Sequence, residues 1–252
     1  MIGPHSSASL LALWLIALLT ALACALGRRH RHSPWRPRLE HALAWLNLLL
    51  WLGFVGYGLL PSRFTPARSL PLHLSDLLIP LASLSLLTQI RPFRALLYFW
   101  GLGLGSQALL TPALGFGPDS FWFWLFWLQH GAIVGTAVYL LAAHGFRPGW
   151  GDFRWAAGAA LADAALIAPL DALLGFNYGF LGRGLPSRPS LLDHLGPWPW
   201  RPLLMSALGL LALLLLQLPW LLARRASRNG GPPRTGCSRV RRRRSRSDRG
   251  RG

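Results

Sequence analysis

The chain has no lysine, one glutamate and only two cysteines in 252 residues. The cysteines, Cys24 and Cys237, lie near opposite ends, so they support neither a disulfide framework nor a metal site. Charged residues make up 13% of the chain, about half of their share in an ordinary soluble domain. Together with 52% hydrophobic residues, this composition excludes disorder for most of the chain and argues against a soluble enzyme.

Long apolar runs are what the chain has in abundance. A helix needs about 20 apolar residues to cross a hydrocarbon core about 30 Å thick. Seven runs approach this length, at approximately 8–26, 41–60, 70–90, 95–112, 121–145, 154–175 and 201–223. We therefore expect an all-α, polytopic helical membrane protein, with about seven transmembrane helices in one domain over residues 1–223. In a signal peptide, a positive charge precedes the apolar run. None precedes the first run here, so we expect it to be a retained transmembrane helix.

The arginines predict the orientation of these helices. One set of alternate loops consists of 27–40, 91–94, 146–154 and the C-terminal tail. The other consists of the N-terminus, 61–69, 113–120 and 176–201. The first set carries 21 of the 26 basic residues and the second carries five. Since basic residues concentrate in cytoplasmic loops, we expect the N-terminus outside and the C-terminus in the cytoplasm.

The tail, residues 224–252, holds twelve of the 26 arginines and contains the sequence RVRRRRSRS. It has almost no apolar side chains, which predicts disorder. RNA binding is one interpretation of its charge, and attraction to anionic lipid head groups is the other. We expect the tail to bind lipid head groups and not nucleic acid, because it directly follows a span and lacks aromatic residues for base stacking.

Polar side chains inside the spans are few, and most of them lie in the outer half of the membrane. From the helical rise, four lie about 6 to 14 Å inside the outer boundary: Ser75, Gln107, His130 and Asp171. Ionisable groups in a bilayer are costly and therefore mark functional sites. Pro80 and Pro169 each leave a helix carbonyl without its usual donor, which is tolerated beside a cavity. We expect a polar pocket that opens toward the outer leaflet.

Acyl transfer needs a nucleophile, a base that takes its proton and a group that orients the base. Ser75 and His130 are the candidate nucleophile and base, while His73 and Asp76 share one helix face as orienting groups. The alternatives are structural: Ser75 would bond back to the carbonyl four residues earlier, and His130 would bond to a backbone carbonyl on a neighbouring helix. No HxxxH or HxxE spacing occurs, so we expect neither a metal site nor a cofactor.

Several segments resemble the YwaF-type bacterial integral membrane proteins. They are LPLHLSDL (70–77), RP (91–92), YFWG (98–101), QALLTP (107–112), HG (130–131), NYG (177–179), SLLD (190–193) and LGPWPW (195–200). The resemblance runs from about residue 40 to residue 222, and it implies a multi-pass protein of the bacterial inner membrane. Eukaryotic relatives of that family are similar to transmembrane lipid acyltransferases, in which a Cys or Thr and a His are the proposed catalytic pair.

The matching positions here are Ser75 and His130, and this chain has HLSD where the family usually has HLCD. The resemblance therefore implies a lipid acyltransferase or acyl hydrolase whose covalent intermediate would be an oxygen ester. Four further residues are candidates for binding the lipid substrate: Gln107, Asp171, Asn177 and Tyr178. Two other functions stay open, a transporter that uses Asp163 and Asp171, and a structural protein whose polar cluster serves helix packing.

Overall fold

The computed structural model describes residues 6–112, 114–183 and 194–229, and the regular secondary structure in these ranges is entirely helical. The elements are α1 (Ser7–Arg29), α2 (Trp35–Gly58), α3 (Pro66–Ser69), α4 (Leu74–Thr88), α5 (Arg91–Leu96), a π-helix (Leu97–Gly105), α6 (Gln107–Leu110), α7 (Phe121–Ala142), α8 (Trp150–Leu174), a 3-10 turn (Tyr178–Phe180) and α9 (Trp200–Asn229). In the part of the chain that the structure describes, no strand occurs.

Five helices are long and apolar enough to cross a membrane: α1, α2, α7, α8 and α9. A sixth apolar helix, α4, has 15 residues. A lipid environment requires every backbone polar group to be satisfied within the protein, and helices do this without partners. The prediction of an all-α, polytopic helical membrane protein is confirmed, and its helices contact membrane lipids.

The predicted fourth span, 95–112, is not one regular helix. It consists of α5, the nine-residue π-helix and the short α6. Three aromatic residues of the π-helix are buried, and two of them donate hydrogen bonds to neighbouring helices. Trp100 Nε1 donates to the carbonyl of Ala156 at 2.9 Å, and the Tyr98 hydroxyl donates to the carbonyl of Leu216 at 2.8 Å. Phe99 is fully buried in the main core.

Two helix boundaries differ from the apolar runs for identifiable reasons. α4 begins at Leu74 and not at 70, because Asp76 Oδ2 accepts the backbone N–H of His73 at 3.1 Å and caps the helix there. α9 continues to Asn229, six residues beyond the predicted span end at 223. Arginine is a good helix former, and Arg224 Nη2 donates to the carbonyl of Pro148 at 3.2 Å. The rest of the predicted tail, 230–252, lies outside the described residues.

The loops gather at two opposite ends of the bundle, in the two sets that alternate along the sequence. At the arginine-rich end (residues 28–36, 89–94, 142–150 and 224–225) three contacts join different loops: Arg28 to Ala142, Arg91 to Asp152, and Arg224 to Pro148. At the opposite end, the Tyr178 hydroxyl bonds to Pro66 and Leu70, and the ring of Trp122 lies 5.4 Å from that of Tyr57. Successive long segments therefore run in alternating directions, and α1, α4 and α7 are parallel.

The core lies where α4, the π-helix, α7 and α8 meet. Its fully buried members include Leu78, Phe99, Ile133 and Ala156. Glycine allows the π-helix to approach α7 closely, since a Cβ atom on Gly101 would lie 3.2 Å from Cγ2 of Ile133. By contrast, α1, α2 and α9 expose many leucines on their outward faces, as expected of helices that face lipid.

Candidate functional site

Ser75 is the second residue of α4 and is partly buried. It lies three residues before Leu78 and seven before Ala82, both of which are buried, so the three share the helix stripe that faces the core. Its hydroxyl makes no hydrogen bond with any described residue. The bond back to the carbonyl four residues earlier is not formed, because that carbonyl belongs to Pro71, which precedes the helix.

The start of α4 also leaves the backbone N–H of Ser75 without a partner among the described residues. The N–H of Asp76 is used by the carbonyl of His73, at 2.9 Å. Unsatisfied N–H groups in the first turn give a helix N-terminus a partial positive charge. A negatively charged oxygen that forms beside Ser75 would be stabilised there.

His130 lies in the middle of α7 with 8% of its surface exposed. Its Nδ1 lies 2.9 Å from the carbonyl oxygen of Phe126, and the two rings are 4.1 Å apart. A carbonyl oxygen can only accept, so Nδ1 carries the hydrogen and Nε2 of the neutral ring is an acceptor. Nε2 makes no hydrogen bond to any residue that the structure describes. The predicted bond to a backbone carbonyl is present, but within α7 itself.

The two candidates lie at the same level on parallel helices. A Cβ atom on Gly105 would lie 3.0 Å from Cδ1 of Leu78 and 3.6 Å from Cγ2 of Ile133, so α4, the π-helix and α7 meet at this point. Ser75 precedes Leu78 by three residues and His130 precedes Ile133 by three, which is about 4.5 Å toward the same end of the bundle. Both belong to stripes that face the common core. No hydrogen bond joins them in this structure.

His73 and Asp76 belong to a separate cluster with the loop that follows α8. The ring of His73 lies edge-on to that of Tyr178, with 5.0 Å between the centroids, and its Nδ1 accepts the N–H of Gly179 at 3.3 Å. Asp76 caps α4. Burial raises the pKa of the Tyr178 hydroxyl, and the nearby carboxylates of Asp76 and Asp171 raise it further. Tyr178 is therefore a neutral phenol that ties this loop to residues 66–70.

Asp171 and Asn177 lie in the same cluster. Asp171 is fully buried, and its carboxylate lies near the backbone N–H of Tyr178. Asn177 Oδ1 accepts the N–H of Gly182 at 3.1 Å and so holds the loop in place. The carbonyl of Gly182 in turn accepts a hydrogen bond from Arg201, whose side chain is fully buried at the start of α9. The predicted SLLD segment, 190–193, lies outside the described residues.

Gln107 joins neither group. It is the first residue of α6 and its side chain is exposed, while α6 packs through Leu109 against Phe123. The sequence predicts that the eight candidate residues line one pocket, whereas the structure does not bring all eight together. It places Ser75 and His130 on neighbouring helices with no hydrogen bond between them, groups Tyr178 with His73, Asp76, Asp171 and Asn177, and leaves Gln107 at the surface.

Sequence reasoning missed a polar network at the arginine-rich end. Glu40 Oε1 accepts Arg36 Nε at 2.7 Å and lies 3.1 Å from His144 Nε2, and it also accepts the Tyr139 hydroxyl. The spacing of Arg36 and Glu40, four residues apart on one helix, was the available signal. Nearby, Arg91 Nη2 lies 2.6 Å from Asp152 Oδ2, and this hydrogen-bonded pair raises the pKa of Arg91.

Across the described ranges, no three His, Cys, Asp or Glu side chains come close enough to hold a metal ion. The site residues are instead suited to proton transfer and hydrogen bonding. His130 offers an acceptor nitrogen, Ser75 a hydroxyl, and the first turn of α4 a backbone N–H.

Comparisons with known proteins agree with the membrane architecture. The model of the TMEM164 family, a family of transmembrane proteins, matches residues 1–217. No curated protein and no solved structure matches the chain. The family match covers most of the helical bundle, from α1 through most of α9. The chain is therefore a multi-pass membrane protein that belongs to the TMEM164 family.

Proposed function

We propose that the chain transfers or hydrolyses a fatty acyl group of a membrane lipid, with Ser75 as the nucleophile and His130 as the general base. The observation that carries the proposal is the 2.9 Å contact between His130 Nδ1 and the carbonyl oxygen of Phe126. Because Nδ1 donates to Phe126, Nε2 is the nitrogen that can accept a proton, on the helix parallel to that of Ser75. The resemblance to proteins with a nucleophile and a histidine at these positions supports the same pair.

In the proposed first step, the Ser75 oxygen attacks the ester carbonyl of the lipid while its proton moves to Nε2 of His130. The oxyanion of the tetrahedral intermediate lies by the N-terminus of α4, where the N–H of Ser75 is available. The C–O bond to the lysolipid then breaks, and the leaving oxygen takes the proton from His130. This leaves the acyl group on Ser75 as an oxygen ester.

In the second step, a lysolipid hydroxyl or a water molecule gives its proton to His130 and attacks the acyl-serine. The Ser75 oxygen leaves and recovers the proton, so the enzyme returns to its starting state. A lysolipid acceptor makes the reaction an acyl transfer, and water makes it a hydrolysis. Either acceptor is compatible with the same two side chains.

The residues around Tyr178 have a supporting part in this proposal. His73, Asp76, Asn177 and Tyr178 already have partners within the protein, so we propose that they position the loop beside α4. The exposed Gln107 is proposed to contact the lipid head group, whereas the fully buried Asp171 is proposed to help hold the same loop. We further propose that the protein lies in the bacterial inner membrane and that its basic tail contacts anionic head groups.

The test is labelling of membranes by a fluorophosphonate that carries a long alkyl chain. The unmodified chain should be labelled, and Ser75→Ala should reduce labelling to background. His130→Gln should slow labelling by about a hundredfold or more, because the general base is lost. Ser85→Ala is the matched control: Ser85 is a buried serine of α4 whose hydroxyl has no partner among the described residues, and its loss should leave labelling unchanged.

Ser75→Cys separates chemistry from packing. A thiolate is the better nucleophile, so this variant should retain or exceed the acyl-transfer activity of the parent. If Ser75→Ala is labelled like the parent, Ser75 is not the nucleophile. If Ser75→Ala and Ser75→Cys lose expression equally, the serine has a packing role.

A structural role is the second candidate function, and the cluster around Tyr178 is the observation that favours it. Its hydrogen bonds are mainly to backbone groups of neighbouring segments, which fix the loops at one end of the bundle.

The transport alternative depends on Asp163, which is partly buried in α8. Ion-dependent uptake by reconstituted vesicles, abolished by Asp163→Asn, would favour transport over both other functions.

A further inference from the structure

A groove of about 540 Å³ runs between α1 and α7. Its α1 wall is one helix stripe that extends from Leu13 to Arg28, and its α7 wall is formed by Val134, Val138 and Ala142. The volume lies within the range of about 300–1,000 Å³ that ligand sites occupy. The stripe on α1 is about 22 Å long, which exceeds the roughly 15 Å of hydrocarbon in one leaflet.

The groove is apolar along its length and cationic at one end. Arg28 closes it at the arginine-rich end, in the last turn of α1. Its Nε donates to the carbonyl of Ala142 at 2.8 Å, which fixes the guanidinium at the C-terminus of α7. The two Nη groups make no hydrogen bond or ion pair with any described residue, and the side chain is exposed. They are therefore accessible to an anionic partner.

This distribution of charge matches an amphiphile with an anionic head and an apolar tail. We propose that the α1–α7 groove binds one molecule of anionic phospholipid, with an acyl chain between the helices and the phosphate on Arg28. The guanidinium is planar and forms paired, charge-assisted hydrogen bonds with phosphate oxygens. The α7 wall of the groove is formed by Val134, Val138 and Ala142 and includes neither Ser75 nor His130, so the proposal does not depend on acyl transfer.

Two features of the helix pair maintain the groove. Gly131 and Gly135 let α1 approach on one side, where Cβ atoms would lie 2.7 Å from Ile16 and 2.9 Å from Thr20. Small residues of α1 then leave space beside this contact, among them Ala17 and Ala21. A larger side chain at Ala21 would occupy the path of the acyl chain.

The experiment is native mass spectrometry of the full chain in detergent, with dioleoylphosphatidylglycerol and dioleoylphosphatidylethanolamine added at equal concentration. The unmodified chain should retain one molecule of the anionic lipid in preference to the zwitterionic one. Arg28→Gln should weaken this retention about tenfold, because charge-assisted hydrogen bonds to the phosphate are lost. Arg29→Gln is the matched control, with the same change in charge on the next residue, and should not alter it.

A second pair of variants tests the apolar part of the groove. Ala21→Trp should lower retention of both lipids, while Leu22→Trp, on the exposed face of α1, should not. Equal losses from Arg28→Gln and Arg29→Gln, or equal retention of both lipids by the parent, would overturn the head-group assignment. Unchanged retention in Ala21→Trp would overturn the groove. Thermal unfolding of each variant shows whether it remains folded.

Discussion

Glu40 is the only glutamate of the chain, and the fold surrounds its carboxylate with three donors. Arg36 and Glu40 are both about 10% exposed at the side chain, and Tyr139 and His144 reach the same carboxylate from α7 and the loop after it. Arg36 Nη2 also donates to the carbonyl of Ala143 at 3.3 Å. The network therefore joins the start of α2 to the end of α7.

Glu40→Gln should destabilise the protein by about 3 kcal/mol, because it leaves the buried Arg36 without its counter-charge. The free energy of unfolding in detergent, measured by denaturant titration, gives the value. Asp119→Asn removes an exposed carboxylate from the loop before α7 and serves as the control, with an expected change near zero. Equal effects of the two substitutions would mean that the network contributes no more than a surface charge.

At the scale of single residues, sequence reasoning found the chemical types but not their partners. It named Ser75 and His130 as a nucleophile and a base, and their joint action stays a prediction. It did not find that Asp76 caps α4 or that Tyr178 binds the segment 66–70. Tyr178 and its partners are about a hundred residues apart, so helix packing decides that contact. The Asp76 cap joins residues three apart, and the spacing of His73 and Asp76 was its available signal.

At the scale of helices, glycine decides how α1 sits on α7. Two helices without a hydrophobic driving force between them associate through close packing, and small residues permit it. A Cβ atom on Gly131 would lie 2.7 Å from Cγ1 and 3.3 Å from Cγ2 of Ile16. Both atoms are attached to the branched Cβ of Ile16, which has little rotamer freedom in a helix.

Gly131→Ala should therefore lower stability by about 1 kcal/mol, since overpacking exceeds the gain in helix propensity. Gly158→Ala in α8 is the control, because nothing lies within 4 Å of a Cβ atom placed there. It should leave stability unchanged or raise it by up to about 1 kcal/mol. Thermal melting of both variants in detergent compares them directly. A gain of stability in Gly131→Ala would contradict the close approach of α1.

The interrupted fourth segment was not predictable as such. Its run of apolar residues indicates a membrane helix, and the GLGLG sequence at 101–105 indicates close packing, as observed at Gly101 and Gly105. In the π-helix, Tyr98 hydrogen-bonds to α9 and Trp100 hydrogen-bonds to α8. Such contacts exist only when the other helices are in place, so the local sequence does not reveal them.

At the scale of the whole molecule, the alternate loops do collect at two ends, and arginine is concentrated at one of them. A reporter fused after Asn229 should therefore be active in the cytoplasm, and one inserted after Asp119 should be active outside. Paired alkaline phosphatase and fluorescent protein fusions measure both positions. Activity of the two fusions on the same side would contradict the alternation, and reversed activities would contradict the orientation.

The sequence by itself determined that this chain lies in a membrane as a helical bundle. Apolar runs in lipid must form helices, because no other regular segment satisfies its own backbone there. Only the tertiary structure decided which polar side chains meet. It assembled the cluster around Tyr178 and the network around Glu40, and it opened a groove that ends at Arg28. Helix rotation and crossing set these contacts, and they result from the packing of all segments together.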